Sequence, residues 1–236
     1  MGILRGLVIG VLVVAGFRFV SLPSAPQSTS APASIAVQER RAERASEGFD
    51  RLSPDARELV GWISASGDAA GAAFVIVDKK EAMVHVFDPA ARWRGSSRVL
   101  LGGAIGDDTV TGIGERAIAD VLPEERTTPA GRFVGERGHN ARGEDVVWVD
   151  YDAGVSMHRV LTSNPAERRL ERLATPTSAD KRISYGCINV PVAFYESYIR
   201  PTFADRRALV YILPETKTVA EVFGPGRTVA RSARIE

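Results

Sequence analysis

The sequence predicts a mainly β fold with a few flanking helices, and two observations point there. Past Gly71 the chain breaks into short runs rich in Val, Ile, Phe and Trp, each bounded by turn residues. Six to eight such runs follow with little helix between them, the pattern of an all-β sandwich or barrel. Helical periodicity is concentrated before Gly71 and in two later interruptions.

The elements follow in order. The N-terminus, "MGILRGLVIGVLVVAGFRFVSLPSAPQ", has a cation at Arg5, an apolar run from Gly6 to Phe17 and then Arg18. That run is shorter than the roughly 20 residues a membrane span needs. Its length and preceding charge match the hydrophobic part of a secretory signal. Residues 1–20 are therefore expected to be an export signal or an uncleaved membrane anchor. Either places the rest of the chain outside the cytoplasm, in the periplasm or cell envelope. Prolines crowd the usual cleavage positions, and "ASIA", ending at Ala36, is distant.

Residues 21–36, "SLPSAPQSTSAPASIA", have the composition of a disordered tether. Residues 37–70 are expected to be helical in two pieces. Ser53 and Pro54 supply an N-cap and first-turn pair for the second, and Leu59, Val60, Trp62 and Ile63 its apolar face.

Residues 71–214 hold the main domain. "AAFVIVDK" and "MVHVFD" flank Lys79 to Ala82 as a hairpin. "SRVLLGG", "GRFVGE", "DVVWVD", "GVSMHRVL" and "ALVYIL" continue the strands. "TVAEVF" is expected to add a last one within a C-terminal extension, 215–236. One helical interruption, "NPAERRLERLA", starts at Asn164-Pro165 and ends before Pro176. The other, "VAFYESYIRPTF", is expected to pack Phe194, Tyr195, Tyr198 and Ile199 against the sheet.

The bulk composition of this 236-residue chain excludes several functions. Its 44% hydrophobic and 25% charged content is that of a globular protein, and a formal charge of +1 gives nucleic acid no electrostatic reason to bind. One cysteine allows neither an internal disulfide nor a Cys-based zinc site. His85, His139 and His158 lack ligand spacing, so neither a metal nor any other cofactor is expected. His85, alternating within "MVHVF", is expected to be structural, and His139 a loop residue. "GIGERA" fits a dinucleotide-binding pattern at Gly112, Gly114 and Ala117, but it follows "DDTVT" rather than an apolar strand. It is expected to be a loop.

The lone cysteine, Cys187 in "KRISYGCINVPVAFY", is the candidate for chemistry. Oxidising compartments pair cysteines, and an unpaired one in an exported chain is a candidate reactive thiol; the alternative is a small buried core residue. A reactive thiol needs a base or cation nearby, since only the thiolate attacks. His158 is the obvious partner, on a strand whose alternation puts Ser156, His158 and Val160 on one face. Gly186 permits a tight turn before the thiol. Successive N–H groups there, including those of Tyr185, Gly186 and Cys187, are candidates to stabilise an oxyanion. Thiol, imidazole and inward amides together would make an acyl-transfer site.

These residues resemble the signature of the L,D-transpeptidase catalytic domain, the YkuD-type family: an upstream histidine, then Ser/Thr-His-Gly-Cys-hydrophobic-Asn. His158 matches the upstream histidine, and Ser184, Gly186, Cys187, Ile188 and Asn189 match the motif. "RTTPAGRF", with Thr128, Pro129, Gly131 and Phe133, resembles the Thr-Pro-x-Gly-x-Phe element that precedes the site, and "VDKKEAMVHVFD" its opening hairpin. The resemblance runs from about Phe74 to Leu213. It implies attack by Cys187 on a peptidoglycan stem peptide, with His158 handling the proton and a second stem as acyl acceptor. A carboxypeptidase, another thiol enzyme on the same fold and a non-catalytic wall-binding module are the alternatives. Two departures stand out. Tyr185 replaces the usual second histidine, and the segment 163–182 is an insertion, either a surface helix or a wall over the cleft. The residue orienting His158 is left open between Ser156 and a backbone carbonyl.

Overall fold

The computed structural model describes residues 46–204 and 207–224, together with helical positions Val37, Arg40 and Glu43. The expected signal or anchor at 1–20 and the tether at 21–36 lie outside the described residues. Ser53 caps the helix Pro54–Ser66 as its sequence predicts, its hydroxyl accepting from the Ala56 N–H at 3.1 Å. Gly67, at φ 69°, ends it in the left-handed conformation that glycine adopts without strain. Leu59, Val60 and Ile63 bury its inner face.

Eight strands form one mixed sheet in the order β3-β2-β1-β10-β5-β6-β7-β9. They are β1 Phe74–Asp78, β2 Met83–Phe87, β3 Trp93–Arg98, β5 Gly131–His139, β6 Asp145–Asp150, β7 Val155–Arg159, β9 Ile188–Val190 and β10 Ala208–Ile212. A small second sheet pairs β4 Leu101–Gly102 with β8 Arg182–Ser184. Just past the β3 edge, Leu100 exchanges backbone hydrogen bonds with Asn189 of β9 at 3.0 and 2.8 Å, bringing the two sheet edges together. The sheet is thus nearly closed, so one face of each strand points into an interior.

Strand alternation sorts side chains between two cores. Val75 and Val77 of β1, with Val210 and Ile212 of β10, point to the interior beside Val147, Met157 and Ile188. Phe74, Ile76, Tyr211 and Leu213 point outward and are covered by Leu59, Val60 and Ile63. Both faces of β1 and β10 are therefore buried, which explains their unbroken apolar character. At about 25 cal/mol per Å² of apolar area, this double burial dominates the stability of the central strands.

Three expectations are corrected. "TVAEVF" is not a strand but the helix Val219–Phe223, because Thr218 and Glu221 form a capping box and Val219 and Phe223, one turn apart, bury against the outer core. "SRVLLGG" is two elements, β3 ending at Arg98 and β4 starting at Leu101. His139 is the exposed last residue of β5 rather than a loop residue, since β5 runs three residues past "GRFVGE" to pair with β6. The helical run 192–202 does pack as its pattern predicts. Tyr195 and Ile199 are buried, and Tyr198 stacks on Phe194 while lying over Gly95. "GIGERA" is a loop containing one tight turn, Ile113–Glu115.

Candidate active site

Three segments meet around Cys187: strand β7, the turn 184–187 between β8 and β9, and residues 126–128 before β5. β7 and β9 pair in parallel, with Met157 opposite Ile188 and His158 opposite Asn189. That register sets the residue preceding β9, which is Cys187, beside the β7 face carrying Ser156 and His158. The Cys187 Sγ lies 3.7 Å from Ser156 Oγ and 3.6 Å from the Gly154 carbonyl, and it is half-buried.

β7 carries the His158 imidazole to the Cys187 side of the sheet, and each group favours the other's charged form. The ring's Nδ1 lies 2.7 Å from the Arg159 carbonyl, which can only accept, so Nδ1 carries a proton and Nε2 is left for the sulfur. The orienting group is thus a backbone carbonyl, while Ser156 contacts the thiol instead. Burial by itself raises the Cys187 pKa. The neighbouring His158 ring, then the N–H and hydroxyl of Ser156, outweigh it and leave the thiol below its ordinary value. Burial likewise lowers the His158 pKa, but Cys187 and the Arg159 carbonyl outweigh it, while Arg169 opposes them; the net shift is upward. Both shifts favour a thiolate–imidazolium pair.

The turn before the thiol is held from both sides. Gly186 sits at φ 130°, and a Cβ there would stand 2.8 Å from the Thr127 carbonyl, so only glycine fits. The buried Thr128 hydroxyl donates to the Gly186 carbonyl and accepts from the Gly102 N–H, both at 2.9 Å. Ser184 donates to the Cys187 carbonyl at 2.6 Å and accepts from the Gly186 N–H at 3.2 Å. The Gly186 amide is therefore already paired with Ser184, unlike the picture in which it is free for an oxyanion; of the three candidate amides, those of Tyr185 and Cys187 remain. Asn189, fully buried, donates from Nδ2 to the Cys187 carbonyl at 3.2 Å, so its part is to brace the turn.

The 163–182 insertion reaches this site. Its helix Arg169–Ala174 docks through Leu173 onto Leu100 and Val160. Lys181 ties down its end, donating to the Thr175 carbonyl at 2.8 Å and to that of Thr177 at 3.1 Å. Arg169 donates to Asn189 Oδ1 at 2.5 Å and pairs with Glu167. The insertion is thus more than a solvated surface helix, since it touches the motif directly. No sequence spacing foretells that contact. Thr128 had a signal, the Thr-Pro-x-Gly-x-Phe element, but its task is visible only in three dimensions. Arg126 had none: its guanidinium lies 4.2 Å over the ring of Tyr185.

His85 is structural, as its strand pattern predicts. Its Nδ1 lies 2.6 Å from Ser96 Oγ, which accepts from Trp93 Nε1 at 2.8 Å, and burial pushes its pKa down to about 4 against a smaller upward pull from Asp78.

No family model matches the chain, and no curated protein matches it. Among solved structures it is similar to the helical cell shape determining protein Pgp2 from Campylobacter jejuni, at 17% identity and TM-score 0.41, over 62% of this chain and 49% of that one. It is similar to an L,D-transpeptidase from Xylanimonas cellulosilytica, at 14% identity and TM-score 0.36, over 60% of each chain. A third is the catalytic domain of the E. faecium L,D-transpeptidase, at 15% identity and TM-score 0.33, over 60% of this chain and 96% of that one. The chain spans about half the length of the Campylobacter structure. At such identities and scores, function has to be argued from the site itself.

Proposed function

We propose that this protein is a cysteine-dependent acyltransferase that acts on peptidoglycan stem peptides and cross-links them through a thioester. One observation carries the reading: the sole thiol contacts Ser156 of β7, and His158 of the same strand, its Nδ1 fixed on the Arg159 carbonyl, helps hold the thiol's pKa below its ordinary value. The motif resemblance supplies the substrate class. Cys187 as thiolate attacks the carbonyl carbon of a diamino acid in the donor stem, and a carbon–sulfur bond forms. The tetrahedral oxyanion is met by the amides of Tyr185 and Cys187. Its collapse breaks the C–N bond, and the His158 imidazolium gives its proton to the departing amine of the terminal D-amino acid. A side-chain amine of a second stem then attacks the thioester, His158 takes its proton, and Cys187 leaves as thiolate. If water attacks instead, the product is a shortened stem.

Such a substrate lies outside the cytoplasm, in keeping with an export signal or membrane anchor in residues 1–20. The test is incubation with disaccharide-tetrapeptides and mass analysis of products. Cross-linked dimers are expected, and Cys187→Ala should yield none. Shortened stems alone would replace the transferase by a carboxypeptidase, and unchanged substrate would sink both.

A further inference from the structure

We propose that Arg126 and Tyr185 form a carboxylate-binding subsite beside Cys187 that takes the free carboxylate of a peptide acyl donor; this rests on the acyl-transfer reading above. Residues 126 and 127 run alongside the turn 184–186. The Arg126 carbonyl accepts from the Ala104 N–H at 3.0 Å, and the Gly103 N–H donates to the Ser184 carbonyl at 2.8 Å. The Thr127 carbonyl abuts Gly186. Arg126 is thereby carried to the flank of the residue just before the Gly-Cys pair.

Its guanidinium is both held and unspent. It stacks 4.2 Å over the Tyr185 ring, while Nε and Nη2 donate to the Val121 carbonyl at 3.3 and 3.0 Å. The Nη1 side of the fork has no protein acceptor among the described residues, and no carboxylate there pairs with it. The neighbouring Glu125 is engaged elsewhere, with Arg116 at 2.9 Å and the Leu122 N–H at 2.9 Å. A planar, charged fork fixed by stacking and left with free donors is suited to a carboxylate. Tyr185 is 43% exposed, so the stack faces solvent and is open to a ligand. The phenol that stands where the family has a histidine thus acquires a task, to orient a cation. In the proposed reaction the leaving D-amino acid bears a carboxylate one residue from the attacked carbonyl, the anion this subsite would take.

The test compares two alkylating agents that differ only in charge. With iodoacetate or iodoacetamide the Cys187 thiolate forms an S–C bond, the C–I bond breaks, and iodide leaves with the electron pair. The ratio of the two rate constants cancels any change in the thiol itself. In Arg126→Gln that ratio, iodoacetate over iodoacetamide, should fall about tenfold, and Arg126→Lys should keep most of it. In the wild type, high salt should lower the ratio in the same direction, which needs no variant. A ratio unchanged in a folded Arg126→Gln protein and indifferent to salt overturns the subsite and leaves the acyl-transfer reading intact. Failure of the folded wild type to react with either agent overturns the acyl-transfer reading, and the subsite with it.

Discussion

The hydroxyl of Thr128 donates to the carbonyl of Gly186 across 2.9 Å, joining two motifs that stand 58 residues apart in the chain. Through that bond and its partner from the Gly102 N–H, the segment before β5 sets the backbone turn that presents Cys187. The thiol's position is therefore a property of four segments: residues 102, 126–128, 184–187 and β7.

Thr128→Val should break both bonds and leave a buried N–H and a buried carbonyl without partners. Loss of about 1–3 kcal/mol of stability is expected, together with slower alkylation of Cys187. Thr128→Ser should restore both. Urea unfolding and iodoacetamide kinetics on the same samples check this. A stable Thr128→Val protein with a wild-type alkylation rate would deny the turn its dependence on the hydroxyl.

The thiol and imidazole shift in opposite directions, and the signs set the pH profile. The lowered Cys187 pKa means thiolate forms at a pH below that of an ordinary cysteine, so at a given pH alkylation should be faster than that of a free cysteine. The raised His158 pKa keeps the ring charged to a higher pH than usual. A reaction needing the ion pair should rise through the first value and decline through the second. In His158→Asn the rising limb should move upward in pH. An unmoved limb would show that the ring does not set the thiol's ionisation.

His85 offers a stability test away from the site. Its folded pKa of about 4 lies below the unfolded value of 6.5, so the unfolded chain binds the proton more readily. The stability this provides is present above pH 6.5 and is lost as pH falls towards 4. The total is about 3 kcal/mol, at 1.36 kcal/mol per pKa unit. Urea unfolding between pH 7 and 4 should show that loss in the wild type, and a flatter curve in His85→Gln.

A buried ion pair links the hairpin to the C-terminal segment. Lys79, fully buried, donates to Asp107 at 2.7 Å and to the Thr128 carbonyl at 2.9 Å, while Asp107 accepts from the Glu215, Thr216 and Lys217 N–H groups at 2.7–2.8 Å. Lys79→Met should cost about 3–5 kcal/mol, because it leaves a buried carboxylate short of its cation. Pairing it with Asp107→Asn should recover part of that loss. A double-mutant cycle by chemical denaturation measures the coupling, and additivity would show that the pair is not a unit.

Much of the fold could be read before any coordinates, where the information was local. The Ser53-Pro54 cap, the β1–β2 hairpin and the burial of Tyr195 and Ile199 follow from turn chemistry and periodicities of two and 3.6 residues. The Val219–Phe223 helix was equally local, because Thr218 and Glu221 stand three apart as a capping box does. A short segment with apolar residues on both sides of Glu221 simply gave the β pattern equal claim.

The sequence by itself determined which residues had the chemistry: one thiol, a histidine and a serine alternating on one strand, and a glycine where the turn needs one. Only the tertiary structure decided that they meet, because parallel pairing of β7 with β9 brings Ser156 to Cys187 across 31 residues, and no local pattern encodes a partner that distant. It alone decided that the Gly186 amide is taken by Ser184, that a carbonyl orients His158, and that Arg126 and Arg169 come to the site. Hydrogen bonds and charges act through space within a few ångströms, and it is the closing of the sheet that sets which groups share that space.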